Sequence, residues 1–181
     1  YPGDNLSTDD YYKTLKNWGL KHCSVYSLIV EEKSVLGKLW EAGKIKIPSD
    51  DEMLDKINSI SEMLSRIGLE RYEISNYAVP GFECRHNLAT WKGEDYIGLG
   101  KGAAGRIGLY RTLNWLGEEP FEKHKETYVL SKKDDETERR IFRLRTFLGL
   151  DVKNKPEWEK TLKRFEAEGL VEKISNSTFR L

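Results

Sequence analysis

The change of hydrophobic period between residues 8–18 and 22–30 constrains the fold of this chain more than any other feature of its sequence. Tyr12, Leu15 and Trp18 recur at helical spacing, and hydroxyl residues just before them can cap the helix. Residues 22–30 are instead a short, mainly apolar run with β-branched side chains, which is typical of a buried strand in a parallel sheet. A helix followed by such a strand predicts an α/β protein.

The most strongly patterned helix is predicted to begin after Ser49. The Ser49 hydroxyl and the Glu52 carboxylate have the spacing of a capping box, in which each side chain satisfies an exposed backbone amide. Apolar residues behind it recur at intervals of four and three and predict one packed face: Met53, Ile57, Ile60, Leu64 and Ile67. Gly68 predicts the end of this helix. A shorter helix is expected around residues 36–40.

The middle of the chain is expected to hold short strands and one long irregular stretch. Residues 72–75, 95–99 and 103–109 are predicted strands, the last two on either side of a glycine-rich turn. Residues 76–92 show no period, and long irregular segments are often functional. Residues 114–128 are expected to connect this region to the last module.

The last module is predicted to consist of two helices and a hairpin. Ser131 can cap the first helix, whose apolar residues are expected to face inward: Ile141, Phe142, Leu144, Phe147 and Leu148. Pro156 and Gly169 have the positions expected for the start and the end of the second helix. Residues 170–174 and 178–181 then predict a β-hairpin. This order is winged-helix-like, so we expect two domains, 1–130 and 131–181.

Composition limits the environment and the partners of the chain. Thirty Lys and Arg residues balance thirty Asp and Glu residues, so no net charge attracts nucleic acid or an anionic membrane. No apolar run approaches the roughly 20 residues of a transmembrane helix. Cys23 and Cys84 are too few for a disulfide framework, which favours a reducing, cytoplasmic location. Because Tyr1 is not an initiator Met, we expect the chain to begin inside a longer reading frame.

Three segments could carry function. In the first, His86 and Cys84 are potential ligands of iron or zinc, but two donors do not make a zinc site, and a hydrogen-bonded loop histidine is the alternative. The second, residues 98–104, is glycine-rich and could bring backbone amides close to a ligand or simply form a turn. The third is the last module, where 13 basic residues against 10 acidic ones argue against DNA binding.

Residues 72–100, YEISNYAVPGFECRHNLATWKGEDYIGLG, closely resemble a signature of the coproporphyrinogen III oxidase-like radical S-adenosylmethionine family (the HemW and HemN type), in particular of its heme-chaperone branch. Residues 1–4 and 24–28 resemble a turn and a strand of the barrel in that family, and residues 131–181 are similar to its carboxy-terminal accessory domain. The resemblance implies the last elements of a partial (β/α) radical S-adenosylmethionine barrel followed by a winged-helix-like domain.

The resemblance also implies cofactors. The intact parent would hold a [4Fe-4S] cluster on a CxxxCxxC motif and would bind S-adenosylmethionine. That motif is absent from this sequence, so the chain alone is not expected to hold the cluster or to be active. By approximate alignment, Ile29 and Ala104 fall where family members contact S-adenosylmethionine.

For heme, the resemblance points to His86, Asn87 and Trp91, which match the branch pattern His-Asn-x-x-Tyr-Trp, with His86 as the ligand of the heme iron. The sequence departs from this pattern at Thr90. Residues 102–105 read Gly-Ala-Ala-Gly where many relatives have Gly-Ala-His-Ser, so a second histidine is missing. Arg85 or Arg106 could lie near the heme propionates.

The resemblance therefore predicts a heme-binding or heme-transfer protein of porphyrin metabolism. Its partners would be heme or another porphyrin and a heme-acceptor protein, with no nucleic acid. The alternative is an oxygen-independent coproporphyrinogen III oxidase, which decarboxylates propionate side chains by radical chemistry.

Overall fold

The computed structural model describes residues 7–114 and 126–181 and divides into two compact units, Tyr1–Glu83 and Cys84–Leu181. This division falls earlier than the domain boundary expected at residues 130 and 131, which stays a prediction. The turn predicted at residues 1–4 and most of the predicted connector lie outside the described residues. Within the described ranges, no helix is both long and apolar enough to cross a membrane.

The first unit packs three helices with a small antiparallel sheet in the order β1-β3-β2. Its elements are α1 (Thr8–Asn17), β1 (His22–Ser24), α2 (Val35–Glu41), α3 (Asp50–Arg66), β2 (Glu70–Arg71) and β3 (Asn76–Ala78). The core consists of Met63 and Leu64 from α3, Leu69, and Tyr77 from β3. The predicted helices are therefore confirmed in this unit.

The capping box of α3 is formed as predicted. The Ser49 hydroxyl accepts the Glu52 amide at 3.2 Å, and the Glu52 carboxylate accepts the Ser49 amide at 2.7 Å. The helix ends before Gly68, whose φ of +84° lies in the left-handed region that glycine adopts without strain. Local sequence chemistry determines both ends of this helix.

The strand predicted at residues 22–30 is shorter than expected, and its assignment to a parallel sheet is wrong. Only His22–Ser24 is a strand, and it pairs antiparallel with β3. Cys23 and Val25 pack against the core, whereas Tyr26 is 71% exposed. A strand covered on one face is typical of antiparallel sheets.

The strand predicted at residues 72–75 is also wrong, because these residues form the turn between β2 and β3. The Glu73 carboxylate is buried and accepts the Ser75 amide and the Asn76 side-chain amide, both at 2.6 Å. Asn76 in turn accepts a hydrogen bond from the Ser24 hydroxyl at 2.5 Å. Side-chain hydrogen bonds therefore hold this segment in place of a strand ladder.

In the second unit, residues 84–114 and 126–181 form two three-stranded antiparallel sheets, β4-β5-β6 and β7-β9-β8, and three helices. Its elements are α4 (Arg85–Lys92), β4 (Ala104–Ile107), β5 (Tyr110–Leu113), β6 (Glu126–Val129), α5 (Lys132–Leu144), β7 (Leu150–Asp151), α6 (Pro156–Ala167), β8 (Glu172–Lys173) and β9 (Thr178–Arg180). The last part has its own core, formed by Val152, Leu162, Val171 and Phe179.

Two predictions for the middle of the chain are corrected. Residues 76–92 are not irregular, because they contain β3 and the helix α4. The strand predicted at residues 95–99 is reduced to a single bridge between Tyr96 and Arg106. An eight-residue helix spans only about two turns, which is too short for a hydrophobic period to be recognised.

In the last module, both predicted helices and the hairpin are confirmed, and β7 adds a third strand beside β9. The inward-facing set of the first helix is partly wrong, since Ile141, Phe147 and Leu148 are 53%, 39% and 42% exposed. The buried residue of α5 is instead the charged Asp135, which pairs with arginines of the neighbouring sheet.

Candidate functional site

The predicted heme residues lie together on α4. Cys84 is the N-cap residue but makes no side-chain capping bond, and Gly93 ends the helix with a φ of +73°. His86 and Trp91 are five positions apart, which places them about 140° apart around the helix axis. They therefore lie on two different faces, which we call the open face and the locked face.

The open face carries His86. Its imidazole is exposed to solvent and meets the Tyr96 ring edge-on, with 6.1 Å between the ring centres. The Thr90 hydroxyl donates a hydrogen bond to the backbone carbonyl of His86 at 3.0 Å, so Thr90 is used within the helix. The neighbouring Asn87 is half-buried. His86 is thus presented by a short helix with an aromatic ring at its side.

The locked face carries Trp91 and packs on α5. The Trp91 ring meets Phe142 edge-on at 5.3 Å between ring centres, and the Arg145 guanidinium lies 4.5 Å from the centre of the indole. The indole N–H is buried and finds no acceptor among the described residues. Trp91 therefore has a packing role in this structure, and its contact with heme stays a prediction.

A buried ionic network lies behind the locked face, and we call it the arginine network: Arg106, Arg111, Asp135, Glu138 and Arg139. Arg106 of β4 is 1% exposed and donates to Asp135 and to Glu138 of α5, both at 2.7 Å. Arg111 of β5 donates to the same two carboxylates at 2.9 and 2.8 Å. Arg139 donates to the second oxygen of Asp135 at 2.7 Å.

The arginine network fixes the end of α4. Arg139 donates to the backbone carbonyl of Gly93 at 3.0 Å. A Cβ on Gly93 would lie 2.8 Å from a terminal nitrogen of Arg139 and 3.2 Å from one of Arg106. Glycine is needed here both for its positive φ and for the close approach of two guanidinium groups. The network thus joins the sheet, α5 and α4.

The network also determines its own protonation. Burial alone would raise the pKa of Asp135, but hydrogen bonds from Arg139 and Arg111 outweigh it and hold the pKa below its usual value. Burial lowers the pKa of Arg106, and the neighbouring Arg111 and Arg139 lower it further. Three guanidinium groups face two carboxylates, so the network carries an excess positive charge.

Sequence reasoning missed this network and assigned Arg106 a different role. The expectation that Arg106 lies near heme propionates is wrong, because its side chain is buried and already bound to two carboxylates. Arg85, in contrast, is exposed at the start of α4. One sequence signal could have indicated the network. Asp135, Glu138 and Arg139 have the spacing of residues on one helix face, and the first two turns of this helix contain no apolar residue that could pack inward instead.

The glycine-rich turn has a structural explanation. A Cβ on Gly98 would lie 2.3 Å from the Ala104 carbonyl oxygen, so the two backbones are in close contact. The Asn114 side chain donates to the carbonyls of Gly98 and Gly100 at 3.0 and 2.9 Å and holds the turn. Ala104 itself is exposed, as is Ile29 in the first unit, at 82%. Their contact with S-adenosylmethionine stays a prediction.

Comparison with known proteins gives related sequences and one related structure. No family model matches the chain. The heme chaperone HemW of Lactococcus lactis is 36% identical over 139 residues, which are 74% of this chain and 37% of that protein. HemW of Bacillus subtilis is 38% identical over 114 residues, 62% of this chain and 30% of that protein.

The related structure is coproporphyrinogen III oxidase (HemN) from Escherichia coli, described as a radical SAM enzyme. It matches with a TM-score of 0.66 and 17% identity over 100% of this chain and 49% of that chain. The chain belongs to the HemW and HemN radical SAM family. It matches the carboxy-terminal portion of this family and spans 30 to 37% of the length of the two HemW proteins above.

The residues of this HemW and HemN family member do not fit the cluster of a radical SAM protein. The sequence has two cysteines, and the described residues contain no group of three or more His, Cys, Asp or Glu side chains that could hold a metal ion. Burial raises the pKa of the Cys23 thiol, which disfavours the thiolate that binds metal.

Proposed function

We propose that this chain is a heme-binding and heme-transfer portion of a radical SAM protein, with His86 as the axial ligand of the heme iron. The observation that carries the proposal is the open face of α4, where an exposed imidazole stands beside the Tyr96 ring. Heme needs such an accessible nitrogen donor, and a bare imidazole can also release it. The HemW relatives, named heme chaperones, support this assignment.

The rest of α4 supports His86 in different ways. Arg85, next to it and exposed, is the candidate partner for a heme propionate because guanidinium groups bind carboxylates through two donors. Asn87 is a polar neighbour of the site. Trp91 acts on the other side of the helix, where its contacts with α5 hold the backbone that presents His86.

In the whole protein, we propose that S-adenosylmethionine and a [4Fe-4S] cluster belong to a part of the fold that this sequence does not contain. From this chain, Ile29 and Ala104 are the residues that we propose to contact S-adenosylmethionine. A heme-acceptor protein would receive the cargo. The alternative function is oxidative decarboxylation of coproporphyrinogen III, but the structural likeness to HemN does not favour it, because at 17% identity that likeness shows the fold alone.

We further infer that residues 131–181 form a winged-helix-like accessory domain that packs rather than binds DNA. The order α5, β7, α6 and hairpin supports this assignment. The second helix, which would enter a DNA groove, carries Glu157, Glu159 and Glu166, and phosphates would repel these carboxylates.

The test is an absorbance titration of heme into the chain and into His86→Ala. We expect a shift of the Soret band in the parent chain that is lost in the variant. His22→Ala is the matched control, because it removes another histidine, one that is hydrogen-bonded to Tyr72 at 2.9 Å. Identical spectra for the parent and His86→Ala would remove His86 from the site and favour the oxidase-like function.

A further inference from the structure

A cleft of about 210 Å³ lies in the last module, away from the open face of α4. One stripe of α5 forms a wall, with Glu136, Arg139, Arg140 and Arg143 at the spacing of residues that share a helix face. Residues 150–152 around β7, Lys155 and Trp158 complete the lining. Four cationic side chains therefore line a cleft that also contains the carboxylates of Glu136 and Asp151.

The two carboxylates in the cleft are already bound. Glu136 pairs with Arg140 and lies 3.7 Å from the Lys155 ammonium. Asp151 accepts the Ser177 hydroxyl at 2.7 Å and the Lys153 amide at 2.9 Å, and these bonds hold its pKa below the usual value. Glu136 is thus shared by two cations and Asp151 is held by neutral donors, so the two acids offset only two of the four positive charges that line the cleft.

The neighbouring arginine network cannot neutralise the cleft either. Arg139 belongs to both, and its partner Asp135 is shared with Arg106 and Arg111. Across the cleft and the network together, six cations face four carboxylates: Arg106, Arg111, Arg139, Arg140, Arg143 and Lys155 against Asp135, Glu136, Glu138 and Asp151. Two positive charges remain in excess, and the cleft is where solvent can reach them.

Arg143 differs from the other cations of the cleft in its ion pairing. In residues 7–114 and 126–181, no carboxylate pairs with its guanidinium, although it lines the cleft. Arg140, beside it, lies over the Trp158 ring with its guanidinium carbon 3.7 Å from the ring centre. A stacked guanidinium and an unpaired one on the same wall present planar donors, which match the geometry of oxyanions.

We propose that this cleft binds a small oxyanion, a phosphate or a carboxylate, with Arg143 as the main donor and Lys155 as the opposing charge. The site does not depend on heme binding by His86. It gives the last module a ligand of its own, and its volume fits a single phosphate or carboxylate group rather than a whole porphyrin.

The test is a titration of the full chain with inorganic phosphate at constant ionic strength, followed by the nuclear magnetic resonance signals of the Trp158 indole and the arginine side chains. We expect saturable shifts in the parent chain. In Arg143→Gln, binding should be about tenfold weaker, because a charge-assisted hydrogen bond is lost. A parallel titration with propionate distinguishes a phosphate site from a carboxylate site, and saturation by either ligand supports the proposal.

Arg164→Gln is the matched control. It removes the same charge from the exposed side of α6, where Arg164 is 66% exposed, so binding should stay within about twofold of the parent. Should Arg143→Gln unfold, Arg143→Lys takes its place, since it keeps the charge but loses the planar donors, and weaker binding is again expected. The proposal is overturned if neither anion gives saturable shifts, or if the parent, Arg143 variant and Arg164→Gln bind equally.

Discussion

Among residues 84–114 and 126–181, the open and locked faces of α4 differ in the contacts that His86 and Trp91 make. On the open face, His86 meets one ring, that of Tyr96. On the locked face, Trp91 packs against Phe142 and Arg145, and Gly93 is joined to Arg139. A ligand site needs an accessible donor on a fixed backbone, and this helix supplies the donor on one side and the fixation on the other.

The fixation combines the contact of the Trp91 ring with Phe142 and contacts from the guanidinium groups of Arg145 and Arg139. A short helix gains little stability from its own hydrogen bonds, so tertiary contacts must hold it. In this unit one of those contacts comes from the Arg139 guanidinium, which donates to the Gly93 carbonyl and is held by Asp135 on the same helix, α5. We therefore expect the locked face to be sensitive to single changes in the arginine network and the open face to be insensitive.

The largest effect is expected for Asp135→Asn. Asp135 accepts hydrogen bonds from three arginines, so neutralising it leaves Glu138 as the one carboxylate of the network and should lower the free energy of unfolding by about 3 kcal/mol. Urea denaturation measures the loss. Glu136→Gln, one position along the same helix in an exposed ion pair, is the control and should change it by less than about 0.5 kcal/mol. Equal losses in both variants would contradict a special role for the network.

The same variant should change the pH dependence of stability. The pKa of Asp135 is lowered in the folded chain from a usual value of 3.8, so its stabilising contribution is complete above that value and is lost as the pH falls through the folded pKa. The parent chain should therefore lose more stability than Asp135→Asn between neutral pH and pH values below 3.8. Parallel curves for the two proteins would show that Asp135 titrates normally.

These contrasts follow the division between what could be predicted from the sequence and what could not. The capping box at Ser49 and the Pro156 start of α6 are local, since each depends on residues within one turn, and both were predicted correctly. Strand pairing depends on distant partners, so residues 22–30 indicated a parallel strand, whereas the real partner of β1 is β3, which follows α2, α3 and β2 in the chain.

For the site, the sequence identified residues but not their orientation. The motif identified His86 and Trp91 together. Because residues 85–92 were not predicted to form a helix, the two side chains could not be assigned to different faces. Arg106 shows the same limit, because its identity suggested a ligand contact. Its burial against Asp135 depends on the register of β4 and β5 opposite α5. Such a contact cannot be inferred from spacing along the chain.

A smaller effect is expected for Gly93→Ala, and here the chain offers a close control in Gly169→Ala. Both glycines follow a helix, with φ of +73° and +72°, so both substitutions introduce the same backbone strain of about 1 kcal/mol. Only the Cβ at position 93 would meet guanidinium groups, while nothing lies within 4 Å of one at position 169. We expect Gly93→Ala to cost about 1 kcal/mol more in urea denaturation, since guanidinium groups must shift. Equal losses of unfolding free energy in the two variants would mean that the guanidinium groups move aside at no cost.

The smallest effect is expected for the stability of His86→Ala. Because the imidazole is exposed and its ring contact is a single edge, its removal should change the free energy of unfolding by less than about 0.5 kcal/mol. Trp91→Ala on the locked face should cost about 2 kcal/mol, since it removes a half-buried indole. Urea denaturation of both variants measures the contrast. A large loss in His86→Ala would show that the open face also carries structure, and any loss of heme binding in that variant would then have to be read as partial unfolding.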